Sequence, residues 1–103
     1  MKFRKRIQIQ AHTTDGIDRW VTVFIGDKKQ HSAEISRMRG CFFTMPDDTN
    51  IDEIFEELIV LARTMAVLDM SNRFINILDN HSGGNLISLV NFIKTTVIKN
   101  RRV

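Results

Sequence analysis

Residues 49–68 read T-N-I-D-E-I-F-E-E-L-I-V-L-A-R-T-M-A-V-L, and this stretch decides the fold. Asn50 is a favourable N-cap, and Glu53 follows at the capping-box spacing that satisfies orphan backbone N–H groups. Asp52, Glu53, Glu56 and Glu57 load the first two turns with negative charge, which the helix dipole favours at that end. Ile51, Ile54, Phe55, Leu58, Leu61, Ala62, Met65 and Leu68 recur at helical spacing. A helix from Ile51 to Leu68 spans roughly 27 Å, the width of a small domain. Its second half adds Ile59, Val60, Ala66 and Val67, leaving only Arg63 and Thr64 polar there. A helix apolar nearly all round is expected to be covered on several sides.

Upstream of it, Phe3–Ala11 alternates. Phe3, Lys5, Ile7, Ile9 and Ala11 share one face, and Arg4, Arg6, Gln8 and Gln10 share the other. Apart from Lys5 the pattern predicts a half-buried strand with a basic outer face. Thr13-Thr14-Asp15-Gly16 is a turn signal, and Trp20–Ile25 is rich in β-formers, so the two strands are expected to form an antiparallel hairpin. Residues 30–40 fit either a short helix capped by Ser32 and closed by Gly40, or a third strand facing inward through His31, Ala33 and Ile35. The Gly26–Lys29 segment reads as a hairpin connection and favours the strand. Cys41–Met45 reads as a further strand, stopped by Pro46.

Downstream, Asp69–Asn72 interrupts the helix, with Ser71 or Asn72 as a cap for a new segment carrying Phe74, Ile77 and Leu78. Gly83-Gly84 marks a helix–helix connection. Without a P-loop lysine or a preceding strand, it is a poor phosphate cradle. Asn85 caps a last helix with Leu86, Leu89, Val90, Ile93 and Val97 on one face; the β-branched residues 95–98 also fit a strand, and the helix is the better reading. Strands precede helices, which predicts an α+β fold. The expectation is an antiparallel sheet of three or four strands from the N-terminal half, with two or three C-terminal helices packed on one face. At 103 residues, one domain (1–103) is expected.

Neither a secretory h-region nor an apolar run of membrane-spanning length occurs, so a cytoplasmic protein without membrane contact is expected. A single Cys41 allows no disulfide framework, and His12, His31 and His81 have no metal-ligand spacing, so no metal or cofactor is expected. Flanked by Gly40 and Phe42, Cys41 reads as a small buried hydrophobe rather than a nucleophile.

Charge is segregated along the chain. Residues 1–39 carry nine Lys/Arg against four Asp/Glu, residues 40–80 two against eight, and residues 81–103 four against none. Two binding surfaces follow from this asymmetry. Asp52, Glu53, Glu56 and Glu57 form an acidic patch suited to a protein partner. Arg4, Lys5, Arg6, Lys28, Lys29, Arg37 and Arg39 form a basic set suited to nucleic acid, although aromatic residues are scarce among them and no RNP, zinc-finger or clear helix-turn-helix signature appears.

The expected function is that of a small non-enzymatic interaction or regulatory protein binding a protein partner, of the kind found among phage- or plasmid-type inhibitors, immunity proteins and accessory factors. The alternatives are a nucleic-acid-binding regulator using the basic N-terminal strand and a small enzyme built on Cys41 with His12 or His31. A homodimer is also expected. Ile59, Val60, Val67, Phe74, Ile75, Leu86, Ile87 and Ile98 offer more apolar surface than one small sheet covers.

Overall fold

The computed structural model describes residues 5–12, 18–26, 28–38, 40–45 and 50–101. The expected hairpin turn at residues 13–16 and the stop at Pro46 lie outside the described residues. The elements run β1 (Lys5–His12), β2 (Asp18–Ile25), α1 (Lys28–Met38), β3 (Cys41–Phe43), α2 (Ile51–Val67), α3 (Ser71–His81) and α4 (Leu86–Arg101). This is an α+β fold with a three-stranded sheet of order β1-β2-β3.

β1 and β2 pair antiparallel over eight consecutive residues, from Lys5 opposite Ile25 to His12 opposite Asp18. Alternation therefore puts Ile7, Ile9, Val21, Val23 and Ile25 on one face of the sheet, and Gln8, Trp20, Thr22 and Phe24 on the other. β3 pairs parallel with β2, Val23 opposite Cys41 and Ile25 opposite Phe43, so the sheet is mixed rather than antiparallel.

A parallel neighbour requires a crossover, and α1 is that crossover. Residues 30–40 are thus helical in their greater part, and the expected third strand there is wrong. Lys28-Lys29 open the helix instead of closing a hairpin. Arg6 Nη1 on the outer face reaches Glu34 Oε2 of α1 at 3.4 Å, which sets α1 against the face opposite the main core. Phe24 is fully buried there. A Cβ on Gly40 would come within 2.4 Å of its ring, so this glycine permits close approach rather than a left-handed turn.

The opposite face carries the core. α2 buries Ile51, Phe55, Leu58, Leu61, Ala62 and Met65; α3 adds Phe74, Ile77 and Leu78; α4 adds Leu86, Leu89, Val90, Ile93 and Val97. The β-branched residues Thr95–Ile98 are helical. Asn50 caps α2 as the sequence predicts, its Oδ1 accepting from the N–H groups of Asp52 at 3.1 Å and Glu53 at 3.4 Å. Asn85 does the same for α4 through Ile87 and Ser88. α2 ends in a Schellman closure: the Met70 N–H donates to the Met65 carbonyl (2.7 Å) and the Asp69 N–H to that of Ala66 (3.1 Å). Asp69 occupies the left-handed position with φ 58°. Met70, not Ser71 or Asn72, takes the N-cap position of α3, without a side-chain hydrogen bond.

The α3–α4 connection has a second role. Gly83 N–H donates to Phe42 O (2.7 Å), Thr44 N–H to Gly84 O (2.9 Å) and Leu86 N–H to Thr44 O (2.9 Å). These bonds seal the outer edge of β3. Gly83 adopts φ +95° to make the turn, a conformation that side-chain-bearing residues rarely take.

No described helix is long and apolar enough to cross a membrane.

Candidate interaction surface

The expected acidic patch is divided by contacts within the chain. Asp52 is engaged by Lys5 and Glu57 by Lys94, whereas Glu53 and Glu56 are exposed and have no such partner among the described residues. The position of Lys5 on the apolar face of β1 now has a reason. Its stem crosses the edge of the core, its ammonium lies 5.9 Å from the Phe55 ring centroid, and its charge meets Asp52 at the start of α2.

Of the basic set, the described side chains are those of Lys5, Arg6 and Arg37. Lys5 and Arg6 project to opposite sides of the sheet, each toward a carboxylate, and Arg37 is exposed on α1. Arg4 and Arg39 lie outside the described residues, as do the side chains of Lys28 and Lys29.

Cys41 is buried, and its thiol points to the Thr22 carbonyl at 3.8 Å. Burial, with the negative charge of Asp79 as a smaller contribution, pushes the thiol up to about 12. Such a sulfur is a poor nucleophile at neutral pH. His81 caps its own helix, its Nδ1 lying 2.9 Å from the Ile77 carbonyl oxygen and its ring against Phe92. No cluster of three or more His, Cys, Asp or Glu able to share a metal ion occurs among the described residues.

Apolar surface is concentrated elsewhere. α2 is covered on one side only, contrary to the expectation from its all-round apolar second half. Val60 is 57% and Val67 87% exposed, and both border a shallow hollow completed by Arg63, Thr64 and Leu68. Beside it, a groove of about 330 Å³ runs along β1, lined by Gln8, Ile9, Gln10, Trp20, Ile59, Ala62, Arg63 and Ala66. Trp20, on the outer face, is 59% exposed. The two hollows share Arg63 and form one continuous surface.

Phe74 and Leu86, which the sequence suggests as leftover apolar surface, are instead in the core, and Ile59, Ile75 and Ile87 are half-buried. Trp20, Gln8, Ile9 and Gln10 are absent from the candidate sites drawn from the sequence. The alternation of Trp20, Thr22 and Phe24 against Val21, Val23 and Ile25 carries the signal that would have placed Trp20 away from the main core.

The chain matches none of the known protein families, curated proteins or solved structures with which it was compared.

Proposed function

We infer that this chain is a protein-interaction module, non-enzymatic, that acts by binding a protein partner through the surface shared by β1, Trp20 and the outer side of α2. The single observation carrying this reading is the exposure of Trp20, Val60 and Val67 around two adjoining hollows that meet at Arg63. Contiguous exposed apolar surface rimmed by polar groups marks interaction sites, whereas scattered apolar residues do not. The rim here is Gln8, Gln10, Arg63 and Thr64, and a tryptophan beside an arginine is the composition of binding hot spots. An inhibitor, immunity protein or accessory factor of the phage or plasmid type works in this way, by occupying a partner's surface without altering it chemically.

The test is capture from host lysate, with and without nuclease, using the native chain and three paired variants. Val60→Asp with Val67→Asp is expected to abolish capture, while Glu53→Lys with Glu56→Lys weakens it at most modestly. Arg4→Glu with Arg6→Glu leaves it intact. Capture that disappears with nuclease, falls steeply with salt and depends on Arg4 and Arg6 would replace this reading with the nucleic-acid regulator. Loss confined to the Glu53/Glu56 pair would move the site to the acidic turns.

A further inference from the structure

We propose that the occupant of the groove beside β1 is a second copy of this chain, with β1 pairing antiparallel to β1 of the second copy about a two-fold axis near Gln8. This rests on the interaction-surface reading and names its partner.

The first support is the character of the β1 edge. Among the described residues β1 has a strand neighbour on one side only. Strand edges that must stay single are blunted by proline, by bulges or by charges in mid-strand. β1 has none of these between Ile7 and Gln10: the run is I-Q-I-Q, uncharged, and its register with β2 continues through eight pairs without a bulge. Its charges sit at Lys5 and Arg6, at the strand's start.

The second support is register. A two-fold axis perpendicular to the sheet keeps each residue on its own face. Centred on Gln8, it sets Ile7 opposite Ile9 of the second copy, Gln8 opposite Gln8, Arg6 opposite Gln10 and Lys5 opposite Ala11. Apolar residues meet on the helix face and amides on the outer face, and no like charges are opposed.

The third support is independent of the strand. Lys5 is level with Asp52 and Phe55, whereas Gln8–Gln10 are level with Ile59–Ala66, so α2 runs beside β1 in the same direction. A strand rises ~3.3 Å per residue and a helix ~1.5 Å, so α2 advances about 2.2 residues for each residue of β1. Gln8 is therefore level with a point near Val60. The same axis that pairs the strands brings Val60 to Val60 of the second copy. Arg63 then faces Glu56 of the second copy, and both of these side chains are exposed in the single chain. One operation thus joins two backbones, one apolar contact and two opposite-charge contacts.

Sedimentation from micromolar to near-millimolar concentration is the first measurement. The mass is expected to rise from 12.0 kDa toward twice that value. Arg63→Glu opposes like charges twice and is expected to raise the dissociation constant about tenfold. Adding Glu56→Arg to it restores the native value. As a second measurement, Val60→Cys is expected to form a disulfide-linked dimer on mild oxidation and Ile98→Cys is not, with buried Cys41 taking no part.

A monomer throughout the range overturns the proposal, as does a dimer indifferent to both the charge exchange and Val60→Cys. If the chain is monomeric yet still captures a host protein in a Val60- and Val67-dependent way, the second copy is wrong and the interaction surface stands. If the dimer forms through these contacts and nothing is captured, the second copy stands and the wider reading fails.

Discussion

Asp69 holds the left-handed position that closes α2, with φ 58°, where glycine would carry no steric penalty. Asp69→Gly is expected to stabilise the fold by about 0.5–1 kcal/mol, the relief of the side-chain clash partly offset by the entropy of a freer unfolded chain. A rise in the urea midpoint with an unchanged slope checks it. Cys41 gives a pH dependence with a defined sign. Its thiol is raised from 9.0 to about 12 in the folded chain, so the unfolded chain loses its proton first as pH rises. The stability it confers is fully present below pH 9 and is lost as pH rises from there toward 12. Urea midpoints taken between neutral pH and mild alkali should fall more steeply for the native chain than for Cys41→Ala. Parallel curves would show that Cys41 is not the group responsible.

At the scale of elements, the α3–α4 connection decides most. Gly83→Ala places a Cβ at φ +95°, only 3.4 Å from the Phe42 ring, in the segment that hydrogen-bonds β3. A loss of about 1–2 kcal/mol is expected, with exchange protection falling first at the Thr44 and Leu86 amides. α2, α3 and α4 are legible in the sequence because each carries a dense apolar stripe, and α2 and α4 each begin at an asparagine cap. The hairpin is legible because two alternating runs flank an Asp-Gly pair, which is a turn signal in the sequence.

α1 is not legible, for a physical reason. Its eleven residues include only Ala33, Ile35 and Met38 as apolar positions, so periodicity hardly distinguishes helix from strand. What makes it a helix is tertiary: β3 lies parallel to β2, and the chain must cross over between them. The candidate surface was half legible. Val60, Val67 and Ile98 stand out as surplus apolar residues. Which side of α2 stays bare, and that Trp20 lines one groove with Gln8, Gln10 and Arg63, depend on packing that no local pattern encodes.

For the whole molecule, β1, β2, β3, α2, α3 and α4 all contribute to one continuous core, in which Leu58 is fully buried between sheet and helices. Leu58→Ala is expected to cost about 2–5 kcal/mol. Val60→Ala, two residues along α2 but on its bare side, should stay within about 0.5 kcal/mol in the monomer. Trp20 fluorescence reports β2 and far-ultraviolet dichroism reports the helices. The two should give coincident melting curves for Leu58→Ala, shifted together to lower temperature. Separate curves would mean that sheet and helices do not share one cooperative core.

The seal that Ser82–Leu86 places on β3 also fixes how far such a molecule can grow. In polymer terms the sheet of the described residues is a monofunctional unit: one end is terminated within the chain, and among the described strands only β1 is left to propagate. Joining two such units through β1 consumes both reactive ends, and growth stops at two. Removing the terminator would make the unit bifunctional. Strands could then add at both ends without closure, which is the route to fibres. Gly83→Ala, held at high concentration near its melting temperature, should therefore elongate into thioflavin-positive fibrils under conditions in which the native chain does not.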